Sequence, residues 1–281
     1  VDVPVNCRSC QNPLDPILWN IGIHPDCFEQ VDEGDPFAAM LKIRLIEMIR
    51  WADNENPRAK QVELGPSEIG DPCDRRIGYR LAAISACNKD FDPWASIMGT
   101  AIHSWLESAI KAWMDSHFDD SWMTERTLWV DEYIQGHSDL YWKDQQTVID
   151  WKTAGPDVMK KILKTGPPDG YQIQTHIYGY GYEQAGFPVK KVALVFLPRA
   201  GWLKNMYVWT ADYDRELAEA ALDRISEIAQ QIIDLDLLID SNSHRWEQIL
   251  AVPSNGCGWC PWYDPGRDPE RGADATGCPG R

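Results

Sequence analysis

Residues 136–152 constrain this chain more than any other stretch: Gly136-His137-Ser138-Asp139, a short polar turn, then Val148-Ile149-Asp150-Trp151-Lys152. In an extended strand, side chains repeat every two residues, so Asp150 and Lys152 share one face while Ile149 and Trp151 take the other. The apolar face belongs to a core, which leaves the charged face as the working one. A hairpin turning at Asp144-Gln145 sets Asp139 directly opposite Asp150. Asp-Gln is a weak turn dipeptide, so this register is an expectation. Like charges facing each other across a ladder destabilise a sheet. The arrangement therefore makes most sense with a hard divalent cation between the two carboxylates, as in metal-dependent phosphodiester chemistry. The competing reading is a solvated hairpin, because Asp-x-Lys strands and Gly-x-x-Asp turns are each common.

Two helical stretches add context. From about Gly99 to residue 116, Ile102, Trp105, Leu106, Ala109, Ile110, Trp113 and Met114 recur at helical spacing and predict a buried stripe. His103 falls at the edge of that stripe, where a ligand can reach a neighbouring sheet, and Glu107 lies one turn on as a supporting residue. The alternative is a histidine satisfied at the core margin. In the second helix, expected over 170–186, Gln174 and Tyr178 are four apart and share a face. An amide and a phenol can hold a phosphate or a base without adding charge. Packing of Tyr178 with Tyr182 explains the same spacing.

Eight cysteines fall into two clusters and one remainder. Cys7-x-x-Cys10 followed by His24-x-x-Cys27, in a segment marked by Pro13, Pro16 and Pro25, has the spacing of a closed structural zinc site. Disulfides are the alternative, set against an N-terminal region with no apolar signal segment. Cys73 lies upstream beside Arg75 and Arg76, and Cys257-x-x-Cys260 and Cys278 lie near the C-terminus. Cys87 is left over beside the apolar run 81–84, where simple burial is the default.

Taken in order, these elements resemble the RecB-type exonucleases of the PD-(D/E)XK superfamily. The resemblance rests on Ser67 to Arg75 as Ser-x5-Cys-x-Arg, the histidine helix GTAIHSWLE over 99–107, Gly-x-x-Asp ending at Asp139, Asp150-x-Lys152, Gln174-x-x-x-Tyr178 and the closing cysteines. It is strongest toward the iron-sulfur nucleases: the CRISPR-associated "Cas-four" group, its phage cousins and the nuclease domain of AddB. It covers roughly residues 64–280, and the ordered set is far more specific than any single motif.

The resemblance implies a restriction-endonuclease-like α/β core, a mixed central sheet flanked by helices. It implies a DNA exonuclease in which His103, Asp139 and Asp150 bind Mg²⁺ or Mn²⁺, Lys152 positions water or stabilises negative charge, and Gln174 and Tyr178 hold the strand. It further implies a [4Fe-4S] cluster on Cys73, Cys257, Cys260 and Cys278, tying the ends of the nuclease domain together. The interval from Cys260 to Cys278 is longer than in those relatives, and a second zinc is the chemical alternative.

Composition narrows the partners. The chain has 281 residues, 44% of them hydrophobic, enough for one substantial core plus a small module. No apolar run reaches the length of a membrane span, so a cytoplasmic protein without a membrane partner is expected. The net charge is −16, whereas a protein that coats DNA through its summed field is basic. DNA, single-stranded or at ends, is therefore expected to bind in a local groove, with Arg75, Arg76, Arg80, Lys160, Lys161 and Lys164 as candidate lining. The expected organisation is a zinc knuckle over 1–30, a helix (36–51) and linker over 31–63, and a nuclease domain with its cluster over 64–281. Within that domain, strands are expected at 127–134, 137–142, 147–152, 190–198 and 205–210, and a long helix at 215–238. Two other functions compete: a DNA-binding or adaptor protein on the same fold, and a subunit that cuts only within a recombination or CRISPR-adaptation complex. Facing carboxylates beside Lys152 argue against the pure binder, which gains nothing from them.

Overall fold

The structure is a computed structural model and describes residues 36–55, 64–88, 92–131, 134–239, 244–253, 256–266 and 277–280. The zinc site expected at Cys7, Cys10, His24 and Cys27 lies outside the described residues. The chain divides into two compact units, Val1–Gln61 and Val62–Arg281. In the first, the described element is helix α1 (Pro36–Glu55), along which Phe37, Leu41, Leu45 and Met48 are exposed.

The second unit is a mixed α/β fold on one five-stranded sheet. Its strands lie side by side in chain order: β1 (Trp122–Trp129), β2 (Gln135–Trp142), β3 (Thr147–Ala154), β4 (Lys191–Pro198) and β5 (Tyr207–Asp212). β3 and β4 are parallel and the other neighbours antiparallel. Parallel neighbours require a crossover, made here by helices α5 (Pro156–Thr165) and α6 (Asp169–Gln184). β4 is buried from Val192 to Leu197, as a strand covered on both faces must be.

Side-chain alternation on β3 and β4 divides the core. On one face, helix α4 (Trp94–His117) sets Ile102, Leu106 and Ile110 against Leu140, Ile149, Ala193, Val195 and Leu197. On the other, Tyr178 and Tyr182 of α6 meet Leu128, Tyr141, Val148 and Val192, while α5 sets Met159 and Ile162 against Leu194 and Phe196. A further apolar cluster joins α2 (Pro66–Ile69), α3 (Asp74–Leu81), α6 and α7 (Arg215–Asp234) through Ile69, Ile77, Tyr79, Ile177, Ile225 and Ile228, with Trp246 and Trp262 from the C-terminal segment.

Several expectations shift. β1 begins five residues earlier than the strand expected at 127–134, because Trp122 pairs and stacks with Trp142, ring centroids 4.7 Å apart. Val130 and Ile134, inside the expected span, instead lie in the loop after β1, with Val130 N–H donating to the Ile134 carbonyl at 2.9 Å. α4 has no fully buried residue, and Trp105 and Trp113 are 69% and 55% exposed. The apolar contact with the sheet is made by the narrow Ile102, Leu106 and Ile110 edge, which overturns the broad buried stripe expected there.

His176, inside α6, is 4% exposed, and its Nδ1 accepts a hydrogen bond from the Asp214 backbone N–H at 3.0 Å. Asp214 caps α7, so a neutral imidazole joins two helices. Burial holds its pKa below the ordinary 6.5, with the Asp214 charge opposing. A depressed folded pKa means that this stabilisation is complete above about pH 6.5 and is lost as pH falls through the folded value. His176→Asn retains an acceptor and does not titrate. Urea unfolding of wild type and variant should therefore diverge as pH drops from about 7 to about 5, wild type losing more; parallel pH profiles would refute the assignment.

Candidate active site

β2 and β3 pair as Trp142 with Thr147, Tyr141 with Val148 and Leu140 with Ile149, the register expected from a turn at Asp144-Gln145. The turn spans 143–146 and closes with Gln146 N–H donating to the Lys143 carbonyl at 3.2 Å. Beyond Leu140 the regular ladder stops. The Asp139 carboxylate enters the gap: Oδ2 accepts from the Trp151 backbone N–H at 2.7 Å, and Oδ1 lies 3.0 Å from His103 Nδ1. His103 thus reaches from α4 to the sheet, as its place on the helix edge predicted. Burial depresses its pKa, but the Asp139 hydrogen bond and charge outweigh burial and leave the imidazole above its ordinary value.

Asp150 and Lys152 share the opposite face of β3. Asp150, 3% exposed, places Oδ2 2.8 Å from Lys152 Nζ. Gln174 closes the circuit from α6, its Nε2 donating to Asp150 Oδ1 at 3.2 Å and its Oε1 accepting from Lys152 Nζ at 2.8 Å. Tyr171, three residues before Gln174 on the same helix face, sets its ring 4.8 Å from that ammonium. Burial pushes the Asp150 carboxyl up to about 6, with Lys152 opposing and Asp139 adding to the shift. Burial also disfavours the Lys152 ammonium, but Asp150 outweighs it and holds the pKa above the ordinary lysine range.

Among the described residues, the group whose donor atoms lie close enough for one ion is His103, Glu125 and Asp139, all within 4.8 Å of one another. The expected trio of His103, Asp139 and Asp150 is therefore only partly gathered at that spacing, Asp150 being turned toward Lys152 and Gln174. Glu125, on β1, was missed because the strand expected at 127–134 left it outside. Its own conformation is the unusual one: φ is +46° in mid-strand, an arrangement that costs a residue with a Cβ about 1–3 kcal/mol. Glu107, half-buried one turn beyond His103, pairs with Lys111 at 2.5 Å; burial, then Asp139 and Glu107, push the Glu125 carboxyl upward.

Gln174 and Tyr178, expected to hold a nucleic-acid strand, have internal work. Both ends of the Gln174 amide are engaged as described, and Tyr178, 5% exposed, belongs to the core of β1, β2, β3 and α6. Tyr178 also explains the glycine of Gly-x-x-Asp. A Cβ at Gly136 would lie 2.6 Å from Pro66 Cδ and 3.2 Å from Tyr178 Cε1, so only glycine lets α2 approach the start of β2.

Cys73, Cys257, Cys260 and Cys278 line a single cavity of about 110 Å³, together with Arg76 and Tyr79. Cys73 caps α3, Cys257 begins a short 3-10 turn, and Cys278 bridges to Tyr263. The long interval after Cys260 does not displace Cys278, whose N–H donates to the Trp262 carbonyl at 2.6 Å while its carbonyl accepts from Asp264 N–H at 2.8 Å. Arg75 is buried, bonding the Ile249 and Glu247 carbonyls at 3.1 and 3.2 Å and Cys278 Sγ at 3.5 Å. Arg76 pairs with Asp71 and Arg80 with Glu68, both at 2.9 Å. These three arginines, expected to line a DNA groove, brace the cysteine region instead, while Lys160, Lys161 and Lys164 of α5 are exposed. Cys87 is half-buried, its N–H donating to the Pro261 carbonyl at 3.0 Å.

Comparison with protein-family models gives no match, and neither does comparison with curated protein sequences. Among solved structures, the chain is similar to an alkaline exonuclease, LHK-Exo, from Laribacter hongkongensis. The identity is 14% and the TM-score 0.43, over 63% of this chain and 91% of that one. A complex of LHK-Exo with dAMP matches at the same identity and TM-score, over 90% of that chain. A phage-related exonuclease from Haemophilus somnus 129PT matches at 16% identity and a TM-score of 0.39, over 57% of this chain and 81% of that one.

Because Gln174 satisfies two buried charged groups at once, Gln174→Met should cost about 1–3 kcal/mol, the range for stranding a buried polar partner. Urea denaturation at neutral pH measures it. A loss under about 0.5 kcal/mol would mean that the amide bonds carry little of the site's stability.

Proposed function

We propose that this chain is a divalent-metal-dependent DNA exonuclease. The observation that carries the reading is the convergence of His103, Asp139, Asp150 and Lys152 where β2 parts from β3. With Glu125 the site gathers three carboxylates and the His103 imidazole around one ammonium. That donor set fits a divalent cation, and a nitrogen among oxygens suits Mn²⁺ at least as well as Mg²⁺. His103, Asp139 and Asp150 would hold it, and the bound ion would supply Lewis-acid polarisation of a phosphoryl oxygen. Lys152, kept protonated by its neighbours, is unsuited to removing a proton from water. Its role is to orient the attacking water or to stabilise negative charge on the phosphate, and Gln174 aims it.

The cysteine cavity fits an iron-sulfur cluster in number and kind of donor. For the same four thiolates tetrahedral zinc is the chemical alternative, and the iron-sulfur cluster is the reading we adopt. Bound there, it would supply thiolate bonds tying α3 to the C-terminal segment. Anaerobically purified protein should carry iron and sulfide, absorb broadly near roughly 400 nm, and lose both signals in Cys257→Ser. Zinc alone, without that absorbance, would overturn the cluster.

The preference for ends follows from charge. A chain of net charge −16 gains little from long-range attraction to a duplex, so productive binding depends on a local channel entered from an end. With Mn²⁺, linear single-stranded DNA should be degraded while closed circles of the same sequence resist. Asp150→Ala and Lys152→Ala should abolish cleavage while DNA binding persists. Near-wild-type cleavage by Asp150→Ala would remove the nuclease assignment, and equal rates on circle and linear strand would make the enzyme an endonuclease.

A further inference from the structure

β1 keeps one register with β2 on both sides of Glu125: Thr124 pairs with Leu140 and Arg126 with Ser138. No residue is inserted, so the left-handed backbone at Glu125 is not required to absorb an extra one. What it changes is side-chain direction. Met123 packs on the aromatic cluster beneath β1, and the Arg126 guanidinium lies 4.5 Å from the Phe187 ring of that same cluster. Residues three apart on a regular strand face opposite ways. The reversal occurs at Glu125, whose carboxylate is swung into range of His103 and Asp139.

That position is costly in two independent ways. The backbone lies where residues with a Cβ are rare, and the carboxylate sits half-buried beside Asp139, with Glu107 a further negative neighbour. The kink also lets Arg126 and Leu128 meet the aromatic cluster, and His103 and His137 offset part of the charge. A cation shared by the three donors offsets both.

We propose that Glu125 is a metal ligand, completing with His103 and Asp139 a preassembled three-donor seat for a divalent cation, and that the kink in β1 exists to deliver it. The proposal rests on the nuclease reading of the same site and refines it. Asp150, held by Lys152 and Gln174, would be a further donor beside that seat.

Mn²⁺ alone is the probe, titrated into the full chain and followed by electron paramagnetic resonance of the free ion. Glu125→Gln should bind roughly tenfold to a hundredfold more weakly, the range seen when groups supporting a metal are removed. Glu107→Gln, which removes the same charge nearby, should lose much less. Glu125→Gly should bind as weakly as Glu125→Gln, yet in EDTA its Tm should equal or exceed that of Glu125→Gln, since glycine adopts positive φ without strain. Wild-type affinity in both Glu125 variants, or an equal loss in Glu107→Gln, would overturn the ligand assignment. The two readings fail differently: Mn²⁺ binding that Asp139→Asn abolishes but Glu125→Gln leaves intact defeats only this inference. Wild-type protein that takes up no Mn²⁺ defeats the metal site itself.

Discussion

A carboxylate stands in for a ladder partner at the working end of the sheet, and the site is organised around that exchange. A buried backbone N–H must find an acceptor, and for Trp151 the acceptor is Asp139 Oδ2. With that donor satisfied by a side chain, β2 and β3 can part beyond Leu140 and Ile149 without stranding a polar group. The opening admits His103 from α4 to the other Asp139 oxygen. On the far face, Asp150 has no such backbone partner among its contacts and is held by Lys152 and Gln174. Two carboxylates on adjacent strands are thus held by different partners, one at the seam by Trp151 N–H and His103 and one by Lys152 and Gln174.

The helical layer follows a parallel logic at α3. Arg224 binds Asp74 and the Ile69 and Asp71 carbonyls, fixing α7 to the start of α3. Arg75 binds the carbonyls of Glu247 and Ile249 from the other side, and Trp262 Nε1 donates to the Ile84 carbonyl at 2.8 Å. Guanidinium groups that satisfy several backbone carbonyls in a rigid fork suit this bracing. They bring Cys73 to three cysteines nearly two hundred residues later in the chain. Pro66 against Gly136 joins this layer to the edge of the acidic site.

Legibility differed from residue to residue for physical reasons. Asp139, Asp150 and Lys152 could be read because strand periodicity is local and the turn lies within the same hairpin. His103 could be read because three turns of helix define its edge position. Glu125 could not, since its place depends on one unusual φ value in a strand whose boundary was misplaced. The roles of Arg75 and Arg80 were hidden as well: a basic residue looks alike in sequence whether it faces solvent, DNA or a buried carbonyl. Gln174 and Tyr178 share a helix face as expected, but their partners come from β3 and β2.

The amino-acid sequence by itself determined the mixed α/β class, the hairpin and its register, the helix that carries His103 and the grouping of the late cysteines. The hairpin, the helix and the cysteine spacing follow from short-range periodicity and spacing, while the mixed α/β class was what the resemblance to RecB-type nucleases implied. Tertiary structure alone decided which carboxylates stand within reach of one ion, which arginines are buried, and that Cys278 keeps its place despite the long interval before it. Those outcomes depend on contacts between residues far apart in the chain, where burial and the demand for satisfied polar groups select partners that no local pattern encodes.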